Sequence, residues 1–110
     1  MPAFTATSCL GPGIANLRSS LLAQRTGLVP CQFESVDLDT YVGITHLTED
    51  EVFLPAELQD FDCRNNRLAF LGLQQDGFID AVEKAKCHFD KTRIGVFLGT
   101  STSGMLQTEK

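Results

Sequence analysis

Basic residues are absent from a long central stretch of this sequence. No Lys or Arg occurs from Pro30 to Asp60, although eight acidic residues lie there, and the net charge of the chain is −5. A phosphate backbone would meet a negatively charged surface, which disfavours a nucleic-acid partner. No apolar run approaches the ~18 residues of a membrane span. The amino terminus also lacks a basic segment followed by an apolar one, so neither a secretory signal nor a membrane partner is expected.

Residues that bind metals or act as nucleophiles are few. They are four cysteines and two histidines: Cys9, Cys31, Cys63, Cys87, His46 and His88. No Cys-x-x-Cys pair or zinc spacing occurs among them, so we predict neither a metal site nor a cofactor site. Without a secretory signal, the thiols are expected to be reduced, in a cytoplasmic protein, and to fill the core.

Two of these thiols stand beside features that can activate a nucleophile. Cys63 precedes a predicted helix and is the least implausible nucleophile of the four. Cys87 is adjacent to His88, but consecutive helical side chains point about 100° apart, so adjacency alone pairs no base with the thiol. Arg64 and Arg67 could bind an anion or pair with Asp60 or Asp62, and the sequence leaves both alternatives open.

The first half of the chain predicts a strand, a glycine turn and a helix. Residues 3–8 have a short strand pattern, and Gly11-Pro12-Gly13 ends it. Apolar residues from Ile14 to Leu22 then follow helical spacing, and Gly27 is the predicted left-handed cap. This order is the first half of a βαβ unit. Residues 41–45 are predicted to form the next strand.

The second half predicts helices followed by a buried strand. A short helix is expected over residues 55–61, with Pro55 in its first turn. A long helix is expected over residues 64–88, where Gly72 and Gly77 indicate close packing or a bend. Residues 94–98 are almost continuously apolar, which suits a strand covered on both faces. The predicted order is β-α-β-α-α-β, an α/β fold with about three strands and helices packed on the sheet.

The loop after the last predicted strand contains a partial phosphate-binding motif. Gly99 to Gly104 matches G-x-x-x-x-G, but Met105 and Leu106 stand where the motif requires Lys and Ser or Thr. Ser103 also occupies the second glycine position of a G-x-S-x-G nucleophile elbow. A nucleotide-binding α/β module therefore remains a weaker alternative, and helix capping explains the hydroxyl groups of this loop.

Two segments of the chain resemble the amino-terminal region of the β-ketoacyl-acyl-carrier-protein synthases, condensing enzymes of the thiolase fold. Residues 64–78 resemble a helix of the type R-x-x-R-x-x-x-L-A-L in that family, and residues 93–104 resemble a strand of the type R-x-G-V-x-x-G-T. The start of the chain is similar in its order of strand, glycine turn and helix. It departs from the family at Ser8-Cys9-Leu10-Gly11, where Ser-Pro-x-Gly is usual, and this leaves the subgroup open.

The resemblance implies a layered α/β/α/β/α fold and a decarboxylative condensation in fatty-acid or polyketide-type biosynthesis. In the family, a cysteine takes an acyl group from acyl carrier protein, two histidines and a lysine assist, and all four lie beyond the matching segment. No catalytic residue is therefore expected within residues 1–110, which we interpret as an incomplete amino-terminal portion, inactive alone, of a homodimeric synthase. The alternative is a non-catalytic interaction or scaffold domain of α/β class.

Overall fold

The computed structural model describes residues 2–33, 35–45 and 52–101. The described residues combine helices with a small antiparallel sheet, so the fold is of the mixed α/β kind. In chain order, the elements are α1 (Gly13–Leu22), β1 (Leu28–Pro30), β2 (Tyr41–Gly43), a 3₁₀-helix (Ala56–Phe61), α2 (Arg64–Leu73), α3 (Phe78–His88) and a second 3₁₀-helix (Lys91–Arg93). None of the described helices combines the length and apolar character needed to cross a membrane.

Helix α1 confirms the predicted helix, but Leu21 and Leu22 of its predicted apolar face are exposed, and the helix ends differently from the prediction. Gly11 and Gly13 have φ values of 120° and 81°, which glycine adopts without steric cost, and they turn the chain into the helix. At the other end the left-handed residue is Gln24, with φ 52°, rather than Gly27. The predicted cap was therefore wrong. Gly27 instead allows a close backbone approach, since a Cβ there would lie 2.8 Å from the Sγ atom of Cys9.

The sheet consists of β1 and β2, which pair antiparallel with Val29 opposite Val42. The predicted strand at residues 41–45 is confirmed over its first three residues, whereas β1 was not predicted. Residues 3–8 contribute only a single bridge between Ser8 and Gly11. The expected βαβ start is wrong for the described residues, because α1 leads into an antiparallel hairpin and no strand precedes it.

The predicted helix over residues 64–88 is divided into α2 and α3. Asp76 and Gly77 have φ values of 56° and 67°, and two consecutive left-handed residues cannot continue a right-handed helix. The bend expected from Gly77 is thus confirmed. The short helix predicted at residues 55–61 is also present, as the first 3₁₀-helix, and Pro55 immediately precedes it.

The buried strand predicted at residues 94–98 is not present in the described part of the chain, where these residues form no strand and are exposed. Val96, Phe97 and Leu98 are 89%, 97% and 88% exposed. A strand needs partners that supply its ladder hydrogen bonds, and the described residues place no other strand beside this one. The expectation that it is covered on both faces was therefore wrong for the described residues.

The packing of the described elements is open. Among the described residues, the buried apolar side chains are Val52 and Leu54. The accessible surface is 9478 Å², whereas a compact monomer of 12.0 kDa exposes roughly 6,000 Å². The radius of gyration is 16.7 Å, against about 13 Å for a compact chain of this length. Many large apolar side chains of the described residues are therefore exposed, among them Phe4, Leu22 and Phe97.

Candidate functional site

A polar cluster that connects distant parts of the described chain centres on the Asp76 carboxylate. Its Oδ2 atom accepts hydrogen bonds from the Thr5 hydroxyl at 2.8 Å and from the Ile14 amide at 2.9 Å. The Thr7 hydroxyl oxygen accepts from the Gly13 amide at 3.4 Å. The left-handed turn between α2 and α3 directs Asp76 to this position. The cluster joins the amino-terminal segment, the start of α1 and the α2–α3 turn.

The hydrogen bonds of this cluster use the first amides of α1, which follow the glycine turn. The first amides of a helix attract anions, because they lack partners within the helix and lie at the positive end of its dipole. Here the amide of Gly13 has the Thr7 hydroxyl as its acceptor, and that of Ile14 has the Asp76 carboxylate. A phosphate at this end would meet a negative charge. The geometry therefore disfavours phosphate binding at the start of α1, which is separate from the partial phosphate motif at residues 99–104.

The cysteines are free thiols in different environments. Cys9 is half-buried and packs where β-carbons on Gly27 or Gly43 would crowd its Sγ atom. Cys63 immediately precedes α2, and its side chain makes no capping hydrogen bond. Cys31 is half-buried and Cys87 is exposed. The expectation that all four fill the core is therefore wrong for Cys87.

The histidines do not form a described base–thiol pair. His88 ends α3, where its ring contacts Phe89 edge to face with the centroids 4.8 Å apart. His46 lies outside the described residues. In the described ranges no group of three His, Cys, Asp or Glu side chains is placed to hold a metal ion.

The paired arginines of α2 bind neighbouring protein groups. Arg67 donates from Nε and Nη2 to the two carboxylate oxygens of Asp62, both at 2.6 Å. This hydrogen bonding lowers the pKa of Asp62 below its ordinary value. Arg64 donates to the backbone carbonyl of Thr45 at 2.7 Å. Of the two alternatives left open by the sequence, the structure therefore favours pairing, with Asp62, for Arg67.

An apolar groove of about 270 Å³ lies between the first 3₁₀-helix and α2. It is lined by Leu54, Leu58, Phe61, Asn66, Ala69, Phe70 and Leu73. Its one polar side chain, Asn66, donates to the backbone carbonyl of Phe61 at 2.7 Å. With no ionisable lining group, the groove can hold apolar side chains but supplies no acid, base or nucleophile.

The partial phosphate motif is described only at its start. Gly99, Thr100 and Ser101 are exposed and form no helix or strand, and residues 102–104 lie outside the described ranges. Ser101, one of the candidates for the predicted helix cap, precedes no described helix, and the other candidates, residues 102 and 103, lie outside the described ranges.

Sequence reasoning did not identify Asp76, Thr5 or Thr7 as important. The dipeptide Asp76-Gly77 is a common turn signal, and it could have located the break between the helices. The contact with Thr5 joins residues 71 positions apart, which a local pattern does not reveal.

No family model matches this chain, and neither the curated proteins nor the solved structures contain a match.

Proposed function

We propose that this chain is the amino-terminal portion of a 3-oxoacyl-acyl-carrier-protein synthase of fatty-acid or polyketide-type biosynthesis. The observation that carries the proposal is the residue pattern of two segments. Arg64, Arg67 and Leu71 reproduce the spacing of the family's paired-arginine helix, and the helix α2 begins at the first of them. Residues 93–100 reproduce R-x-G-V-x-x-G-T in full.

The exposed surface of the chain supports this proposal. Residues 94–98 have the composition of a strand buried on both faces, yet Val96, Phe97 and Leu98 are almost fully exposed. The accessible surface exceeds that of a compact monomer by roughly 3,500 Å². In a thiolase-like fold, a layered sheet and its helices would cover this strand and much of that surface.

The chemistry of the proposed enzyme requires groups other than those described here. In such an enzyme a cysteine thiolate would attack the acyl-carrier thioester and release the carrier's thiol. Decarboxylation of the malonyl-carrier thioester would release CO₂ and form the carbanion, which would attack the acyl-enzyme and expel the cysteine thiolate. This chemistry requires a group that favours the thiolate and a site that shields the acyl-enzyme from water. Among the described residues, no hydrogen bond joins a base to the exposed Cys87 or to the half-buried Cys9. The role of this chain would be structural: α2 and the strand at residues 94–98 would support a site built by other residues. Acyl carrier protein would be the partner of the whole enzyme, which would be a homodimer.

Antibodies raised against the purified chain test this proposal. From cells that express the gene, they should capture a polypeptide much larger than 12.0 kDa that converts acyl-carrier and malonyl-carrier substrates to a 3-oxoacyl product. Excess purified chain should block the capture, and pre-immune antibodies provide the control. Capture of a polypeptide that does not condense these substrates would contradict the proposal. The purified 110-residue chain should itself form no product, and turnover above background would refute its assigned inactivity.

The second candidate is a non-catalytic interaction domain, which the exposure of Val96, Phe97 and Leu98 favours independently of any family pattern. Hydrogen exchange and size-exclusion chromatography distinguish the candidates. A compact, well-protected monomer would support a self-contained scaffold domain, whereas an expanded chain with rapidly exchanging amides would support the synthase portion.

A further inference from the structure

The dipeptide Asp76-Gly77, between α2 and α3, has a chemical reactivity beyond the hydrogen bonds of the polar cluster. It is the one place in the sequence where glycine follows an aspartate or an asparagine. Because glycine has no Cβ, its backbone amide nitrogen can attack the preceding carboxyl group without hindrance, and a five-membered cyclic imide forms more readily than at other aspartates. Both residues are exposed, so water reaches this bond.

The amide of Gly77 is available for this attack. The dipeptide lies outside α2 and α3, so the hydrogen-bond ladders of those helices do not engage this amide. It donates no hydrogen bond to another described residue. A Cβ built on Gly77 would have no neighbouring atom within 4 Å. The turn therefore has room for the imide ring to close.

The Asp76 carboxylate, in contrast, is held by other partners. Its Oδ2 atom accepts hydrogen bonds from the Thr5 hydroxyl and the Ile14 amide. Its Oδ1 atom lies 3.4 Å from the position of a Cβ on Gly13, so both oxygens lie at the start of α1. Ring closure brings the carboxyl carbon to the Gly77 nitrogen and requires the side chain to release both hydrogen bonds. The cluster therefore restrains the reaction.

We infer that Asp76 is a site of isoaspartate formation and that its hydrogen bonds to Thr5 and Ile14 restrain the reaction. The Gly77 nitrogen forms a bond with Cγ of the protonated carboxyl group, and one carboxyl oxygen leaves as water with the carboxyl and amide protons. A second water molecule then opens the imide. Its addition to the backbone carbonyl carbon of Asp76 breaks the bond to the Gly77 nitrogen and leaves the chain linked through Cγ, whereas addition to Cγ restores aspartate.

Isoaspartate at residue 76 removes the acceptor on which the cluster depends. The backbone gains one carbon atom there, and the free carboxylate is attached to Cα instead of Cβ. The amino-terminal segment and the start of α1 then lose their link to the α2–α3 turn. The inference rests on the described residues alone, so it can hold or fail independently of the proposed enzyme class, which the antibody capture described above tests.

Prolonged incubation of the purified chain at neutral pH, in water labelled with heavy oxygen, tests the inference. Opening of the imide places a labelled oxygen in residue 76. Trypsin in ordinary water then releases residues 68–84 as one peptide, because no Lys or Arg lies between Arg67 and Lys84. This peptide also contains Asp80, which is followed by alanine and is the internal control. Electron-transfer dissociation should locate the label and the isoaspartate at residue 76 and not at residue 80.

Three variants test the restraint and the reacting group. Thr5→Val removes one of the two hydrogen bonds and should raise the rate at residue 76 roughly tenfold, because a hydrogen bond to a charged acceptor is worth about one such factor. Thr5→Ser keeps the hydroxyl donor and is the matched control, so its rate should equal that of the unsubstituted chain. Asp76→Glu keeps a carboxylate but would require a six-membered ring, and it should form no isomer.

Two further measurements keep the outcome clear if a variant is poorly folded. The unsubstituted chain should isomerise faster in urea, where the cluster is absent, and there it should match Thr5→Val. In the isomerised chain the Ile14 amide should exchange its hydrogen faster than before. Labelling no faster at residue 76 than at residue 80, equal rates of the unsubstituted chain with and without urea, or an unchanged exchange of the Ile14 amide would each overturn the inference.

Discussion

Removal of the Asp76 carboxylate should destabilise the fold more than any other single loss of an exposed carboxylate. Asp76→Ala deletes the acceptor of the Thr5 hydroxyl and the Ile14 amide. Hydrogen bonds to charged groups contribute about 1.5–3 kcal/mol each, and the exposure of this cluster places both at the low end. Alanine at φ 56° adds a left-handed penalty of about 1–2 kcal/mol. We expect a total loss of about 4–5 kcal/mol of unfolding free energy.

Two further variants at this position separate these contributions. Asp76→Asn keeps a side chain that tolerates the left-handed region and retains an acceptor oxygen, so it should lose only about 1 kcal/mol, chiefly the charge at the start of α1. Asp76→Gly relieves the backbone but loses both hydrogen bonds, so its loss should lie between those of the other two. The measurement is urea unfolding followed by far-ultraviolet circular dichroism.

The control for these variants is Asp39→Asn, which makes the same charge change in an exposed loop. It should alter the unfolding free energy by no more than about 0.5 kcal/mol. If Asp76→Ala were as stable as the control, the cluster would contribute nothing, and the argument that it joins three segments would be refuted.

The remaining predictions concern an ion pair and a close contact. Because the pKa of Asp62 lies below its ordinary value, its pairing with Arg67 stabilises the fold above the unfolded pKa and is lost as the pH falls through the lowered one. Arg67→Gln should therefore reduce the decrease in melting temperature that the chain shows as the pH becomes acidic. An unchanged pH dependence of the melting temperature would contradict a contribution of this ion pair. Gly27→Ala should cost about 1–3 kcal/mol, because its Cβ would lie 2.8 Å from the Sγ atom and 2.9 Å from the carbonyl oxygen of Cys9. Gly99→Ala is its control, because a Cβ at Gly99 would have no neighbouring atom within 4 Å. If both variants lost the same free energy of unfolding in denaturant, the contact between residue 27 and Cys9 would not be the cause.

Elements governed by local sequence were predicted well. The apolar spacing from Ile14 to Leu22 predicts α1, and the structure confirms it. Gly77 correctly indicates the bend after α2, because glycine readily adopts the left-handed conformation seen there. Helices form their hydrogen bonds within one segment, so neighbouring residues contain most of the information about where they begin and end.

Elements governed by distant contacts were predicted poorly. The strand β1 was missed because its pairing with β2 depends on residues more than ten positions away, and Pro30 at its end is a poor strand former. The polar cluster was missed for the same reason, since Thr5 and Asp76 are far apart in sequence. A pattern can show that a segment suits a strand, but not which strand lies beside it.

Residues 94–98 illustrate the difference between a segment that suits a strand and a segment that has a partner strand. Their composition predicts a buried strand, but burial needs a second surface, and the described residues leave Val96, Phe97 and Leu98 exposed. In the proposed synthase, strands and helices of the rest of the enzyme would supply that second surface. A local pattern can therefore indicate that residues 94–98 suit a strand, but it contains no information about the surface that would cover them.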